Sequence, residues 1–284
     1  MSTQRPEFER SPVDATDIGD IERPLPLAER ILRNDAVQRA AIIVLLIVIW
    51  EVYARWLNYA LLFPTFTETI RVAWEDIGEL SMRIAATMRA LVIGYAAGLA
   101  CAAVLTTLAV ASDFGARFLS TLTAMFNPLP AIALLPLALI WFGLGTPSLV
   151  FVIVHSVLWA VALNTLTGFR AVPETLRMSG RNLGLGGVRY VLLILIPAAF
   201  PSILAGLKIG WAFAWRTLIA AELVFGASSR SGGLGWYIFA ARSELDTARV
   251  FAGLLAVIVI GLVVEAVIFR AIEARTVKLW GMQR

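Results

Sequence analysis

Apolar residues fall along this chain in long blocks, without period-two alternation. The blocks approach or exceed the roughly 20 residues that carry a helix across the hydrocarbon of a bilayer. Residues 40–57, 84–111, 148–169, 190–226 and 250–271 each read as a span. A sixth block, 118–142, is interrupted by Pro128, Pro130 and Pro136. Proline removes a backbone donor and bends a helix, and irregular backbone at membrane depth survives only where protein or a water-filled cavity surrounds it. The interrupted span is therefore expected inside the bundle, beside a solute path. Residues 61–80 carry Pro64 and the charges Glu68, Arg71, Glu75, Asp76 and Glu79, which predicts an amphipathic or loop segment that does not cross. The predicted fold class is an all-α integral membrane protein with six transmembrane helices.

Residues 1–36 are polar, proline-containing and of mixed charge (Arg5, Glu7, Glu9, Arg10, Asp14), and read as a mobile tail. The first apolar block begins later than a secretory signal would and is long enough to span, so it is expected to be an uncleaved anchor. The expected domains are an N-terminal tail (1–36), a six-helix transmembrane domain (37–275) and a C-terminal tail (276–284). Six spans put both ends on one side. If that side is the cytoplasm, it holds Arg117, Arg170, Arg177, Arg181, Arg189 and Arg270 among others, against chiefly Arg71, Arg83, Arg230, Arg242 and Arg249 opposite. The bias predicts an N-in, C-in topology with both tails cytoplasmic.

Composition narrows the function. The chain is 59% hydrophobic and 15% charged, with a mean hydropathy of +0.80. Soluble domains sit near 45–50% and about 25%. The net charge of +4 is accounted for by topology and calls for no nucleic acid. Cys101 is the only cysteine and His155 the only histidine, so no zinc spacing exists and no metal is expected. His155 and Ser156 are sequence neighbours, which do not face each other on a helix, so no catalytic pair is expected and His155 reads as a buried structural residue. The chain also lacks a phosphate-binding loop of the G-x-x-x-x-G-K-[ST] type, and thus carries no ATPase site of its own.

Charges inside spans are costly and face the bundle interior or water. Opposite helix directions place Arg89 and Glu222 at similar depth near one end of the bundle, and they are expected to form a structural ion pair. Arg216 is a candidate for the translocation pathway, with Asn127 and Pro130 of the interrupted span. Lys208 is expected to snorkel toward the basic side rather than meet a solute. An ion-coupled secondary transporter is the alternative class. It needs acidic coupling residues at mid-depth, for which Glu222 and Glu265 are the candidates, and usually repeated halves, which are not evident.

The polar stretch 170–189 separates two spans on the basic side. Pro173 and Glu174 suit a helix first turn, and glycines at 180, 184, 186 and 187 should then break it. The segment resembles the signature loop of bacterial ABC importer permeases: E-A-A, three residues, Gly, nine residues, then I-x-L-P. Here Gly184 takes the glycine position, Ile194-Leu195-Ile196-Pro197 follow at the same spacing, and Met178-Ser179-Gly180 replace E-A-A. Phe63-Pro64-Thr65, Asn127-Pro128-Leu129-Pro130, Leu135-Pro136-Leu137, the block from Trp141 to Gly145, Gly206 to Gly210 and Ala220-Ala221-Glu222 resemble the nitrate, sulfonate, taurine and bicarbonate branch of those permeases.

The resemblance implies a type I ABC importer permease fold in the bacterial inner membrane. It makes Pro173, Glu174, Met178, Ser179, Gly180 and Gly184 part of a coupling segment that lodges on an ATPase. The implied partners are an ABC ATPase dimer, which holds the ATP and Mg, a second permease copy in a homodimer, and a periplasmic substrate-binding protein. The implied cargo is a small anion such as a sulfonate, taurine, nitrate, bicarbonate or an aromatic acid.

Overall fold

The computed structural model describes residues 34–110, 112–225 and 232–276. Residues 1–33 of the expected mobile tail, Arg230 and most of the C-terminal tail lie outside the described residues. Contacts divide the chain into Met1–Tyr53 and Ala54–Arg284. In the first unit the described residues form most of helix α1 (Asp35–Leu57), which begins five residues before the apolar block at residue 40.

Among its described residues the second unit is built of helices joined by turns. Helix α2 (Phe66–Glu75) occupies the stretch expected not to cross. Thr65 caps it by accepting from the Glu68 amide at 3.1 Å, and Glu68 sits three residues on, the spacing of a capping box. Helix α3 (Ile77–Val110) follows, then α4 (Asp113–Phe126), capped by Ser112. A turn holding Pro128 and Pro130 leads through a short 3₁₀ stretch into α5 (Leu135–Phe142). The two arms, Asp113–Phe126 and Ala131–Phe142, meet at 85°. Among the described residues, five other helices are long and apolar enough to cross a membrane, and this bent pair counts as the sixth span only if both arms belong to one crossing. Pro136 contributes no bend, because it stands at the start of α5, where its missing N–H has no helical partner to lose.

Helix α6 (Thr146–Arg170) is the centre of the second unit, packed along α3 and along α9 (Ile196–Phe225). Both contacts run through glycine. A Cβ on Gly94 would stand 2.8 Å from Ile153, and one on Gly98 would stand 2.8 Å from Val157. On α9, a Cβ at Gly206 would stand 2.8 Å from Asn164 Cβ, and one at Gly210 would stand 3.0 Å from Val161. Each pair is four residues apart and forms one ridge, the G-x-x-x-G device by which helices approach closely in lipid. Lipid gives no hydrophobic drive to association, so van der Waals contact at this range holds the three helices together.

Pro197 and Pro201 lie within the fifth span without dividing it. Helix α8 (Gly187–Tyr190) and α9 join through a π-helical stretch, Val191–Leu195, into one span of 38 residues. The widened turns lie immediately before Pro197 and absorb the mismatch that a proline ring imposes on the preceding turn. Helix α10 (Leu234–Ser243) stands between the fifth and last spans, where the hydropathy pattern predicts no span. The last span comprises α11 (Thr247–Val263), a π-helical stretch and α12 (Arg270–Arg275).

Replacing Gly98 by Leu should lower the unfolding midpoint of the detergent-solubilised protein, with overpacking costing about 1–3 kcal/mol or more. Gly78→Leu, where nothing stands within 4 Å of the added Cβ, should leave it nearly unchanged.

Candidate functional site

Three constructions carry the polar chemistry of the second unit. The first is a cavity of about 330 Å³ between the α4–α5 turn, α6 and α9. Asn127 to Ile132 form one wall, His155, Ser156 and Trp159 a second, and Phe213, Arg216, Thr217 and Ala220 a third. The structure thus brings Asn127, Pro130 and Arg216 together at one cavity, although they lie far apart in sequence. The 85° break creates the space, because α5 turns away where a straight helix would continue.

Arg216 is exposed and makes no ion pair among the described residues. Its Nε donates to Ala212 O at 2.9 Å, and its guanidinium lies 5.2 Å from the centre of the Phe213 ring. His155 is not the fully buried residue expected from sequence. It is partly exposed and faces the cavity from α6. Trp159 Nε1 donates to its Nδ1 at 3.1 Å, and its Nε2 lies 3.4 Å from Leu129 O. An accepting Nδ1 and a donating Nε2 fit the neutral ring, tying α6 to the proline turn. Its spacing of four from Trp159 was the available sequence signal.

The second construction closes the end of the bundle where α9 finishes. Glu222 is 5% exposed, and Thr87 Oγ1 lies 3.0 Å from both of its carboxylate oxygens. Gly235 N donates to Glu222 at 2.8 Å and Leu234 N donates to Thr87 Oγ1 at 2.7 Å. These are orphan amides at the start of α10, so α3 and α9 together cap that helix. Gly233 has no room for a side chain, since a Cβ would run into Thr87 and Glu222.

The expected Arg89–Glu222 ion pair does not form. Arg89 follows Thr87 by two residues, about 200° around the helix, so it faces outward when Thr87 faces in. Arg83 instead serves this end, donating to Gly232 O at 2.9 Å and stacking 4.1 Å over Trp236. Nearby, Asp76 accepts from Tyr237 at 2.9 Å and pairs with Arg249 at 2.8 Å. Burial, with the Asp76 hydrogen bond added, raises the Tyr237 hydroxyl above the ordinary tyrosine range and keeps it a donor. Lys208 is ion-paired, to Glu273 at 2.8 Å and Glu265 at 3.9 Å, which occupies one of the two acids a coupled transporter needs free.

The third construction lies at the opposite end, where α6 finishes. Helix α7 (Glu174–Asn182) starts one residue later than expected, with Pro173 as its N-cap, and continues through Gly180. Gly180 does not break it. That residue is buried, and a Cβ there would stand 2.9 Å from Ile194 and 3.0 Å from the Tyr190 ring. The break falls at Gly184, with φ of +72°. Gly184 N bonds to Arg181 O at 2.9 Å and Leu185 N to Gly180 O at 3.1 Å, the two bonds of a Schellman stop. Arg177 donates to Phe169 O at 2.6 Å and Val172 O at 3.1 Å, fixing α7 beneath the last turn of α6. The segment exposes Leu176, Met178, Leu183 and Val188 beside Glu174, Arg181 and Ser179.

Comparison with known proteins gives these parts a setting. Residues 90–278 match the family described as the binding-protein-dependent transport system inner membrane component. A putative ABC transporter permease protein of Methanocaldococcus jannaschii is 29% identical over 84% of this chain and 91% of its own. The taurine transport system permease protein of Escherichia coli is 34% identical over 55% of each chain. A nitrate import permease protein of Synechocystis is 30% identical over 66% of each.

Removing the Glu222 carboxylate should cost about 1–3 kcal/mol for each buried donor left unpaired. Thermal unfolding of Glu222→Ala should show that loss. Arg89→Glu should be near neutral alone and should not rescue Glu222→Lys.

Proposed function

Because the chain belongs to the family of binding-protein-dependent transport system inner membrane components, we propose that it is the permease subunit of an ATP-driven ABC importer for a small anion. It is a multi-pass inner-membrane protein. Its relatives include permeases named for taurine, aliphatic sulfonates, nitrate and bicarbonate, which supports an anion of that size range as cargo. In this reading a periplasmic binding protein delivers the anion, and two copies of the chain enclose the path. A separate ATPase dimer holds ATP and Mg, and this chain catalyses nothing.

The observation that carries the reading is the α7–Gly184 segment. It is rigid in the way a coupling element needs to be: Arg177 bonds one end to α6, Gly180 seats it on Ile194 and Tyr190, and the Schellman stop fixes its end. Its exposed Leu183, Met178 and Leu176 present apolar contacts for a groove on the ATPase. Closure of the ATPase dimer on ATP would push this segment, and α6 and α9 would carry the movement to the cavity. Met178, Ser179 and Gly180 stand where the signature has E-A-A. Docking here therefore rests on shape and apolar contact in place of the signature glutamate, with Glu174 paired to Arg181 at 3.7 Å. Both tails are cytoplasmic in this orientation. Arg216, Asn127 and Pro130 line the path.

Purification of the chain from its native membranes should bring down an ATPase carrying nucleotide-binding motifs. Gly184→Ala forces a side chain into the left-handed region, at roughly 1 kcal/mol, and should weaken that retention. Gly184→Asn tolerates that backbone better and should weaken it less. A chain that purifies alone, with neither substitution changing anything, removes the proposal.

A further inference from the structure

The cavity at the proline turn has a lopsided chemistry. Its lining contains one cation, Arg216, and no aspartate or glutamate. The Arg216 Nε is committed to Ala212 O, which leaves the terminal nitrogens of the guanidinium without a partner among the described residues. Asn127 and Thr217 also line it, and neither side chain has a hydrogen-bond partner among the described residues.

The other polar groups of the wall are already engaged. Trp159 N–H is held by His155, the far nitrogen of His155 by Leu129 O, and the Ser156 hydroxyl by Ile153 O at 2.8 Å. What remains for a ligand is a cationic fork, an amide and a hydroxyl, in a cavity whose aromatic lining is Trp159 and Phe213.

Taking the cavity as part of the importer's path, we propose that it is a binding site for small monoanions that lack an ammonium group. Nitrate and short alkanesulfonates are the class, with Arg216, Asn127 and Thr217 as the selecting residues. A guanidinium fork matches two oxygens of a planar or tetrahedral oxyanion. An ammonium on the same molecule would find no carboxylate there and would be repelled by Arg216. The site therefore discriminates between ethanesulfonate and taurine, which share a sulfonate and a two-carbon chain and differ by the amino group.

The test is equilibrium binding of nitrate, ethanesulfonate and taurine to the full-length chain, with its co-purifying partners, in lipid nanodiscs. Ethanesulfonate and nitrate should bind saturably, and taurine at least about tenfold more weakly. Arg216→Gln should weaken ethanesulfonate about tenfold or more, with Arg216→Lys intermediate because it keeps charge and loses the fork. Asn127→Leu and Thr217→Val provide an independent reading should Arg216→Gln not fold, each weakening ethanesulfonate by about threefold or more. Taurine binding as well as ethanesulfonate, no saturable binding of either anion, or unchanged binding in the folded variants overturns the proposal. ATPase co-purification separates the two readings: a retained ATPase with no anion binding sinks this site alone, and anion binding without a retained ATPase sinks the importer reading alone.

Discussion

The contact on which the second unit depends is the close approach of both α3 and α9 to α6. Gly94 and Gly98 meet Ile153 and Val157, and Gly206 and Gly210 meet the stretch from Val157 to Asn164. In lipid this van der Waals contact takes the place of the hydrophobic effect. It also fixes everything attached to those helices. Residues 155–159 and 213–220 form two walls of the cavity because α6 and α9 are in register there. Thr87 and Glu222 meet at one end because α3 and α9 flank the same helix. A displacement of either ridge by one turn, about 5.4 Å, would dissolve both.

The structure assigns the intramembrane charges to distinct jobs. Glu222 is a capping acid for α10, and its partners are neutral donors. Lys208 joins α9 to the last span through Glu273 and Glu265. Arg216, unlike Lys208, has no charged partner among the described residues, and it is the one of the three that lines the cavity. A cation left uncompensated at that depth persists where water or an anionic ligand reaches it.

Much of this was legible in the sequence, for physical reasons. Span positions follow from run length, and the break at 128–130 from proline chemistry. The gathering of Asn127, Pro130 and Arg216 was foreseeable as an interior site, though not as a cavity of this shape. The charge pairing was not legible: Arg89 and Glu222 match in depth, but angular position decides contact, and Thr87 rather than Arg89 points inward. Helix α10 escaped notice because its start carries no capping side chain, and its caps come from α3 and α9. Gly180 was misjudged because a glycine that breaks a helix and one that lets a helix pack look alike in sequence, and only the Cβ environment separates them.

The central claim is that this chain moves its solute at the expense of ATP hydrolysed by another subunit, through the segment ending at Gly184. The most direct test is uptake of radiolabelled nitrate or ethanesulfonate into proteoliposomes that hold the chain with its co-purified ATPase and binding protein. The account predicts uptake that requires hydrolysable ATP inside the ATPase-facing compartment and persists when ionophores collapse every ion gradient. Uptake that continues without ATP and stops when the gradients are collapsed would contradict it.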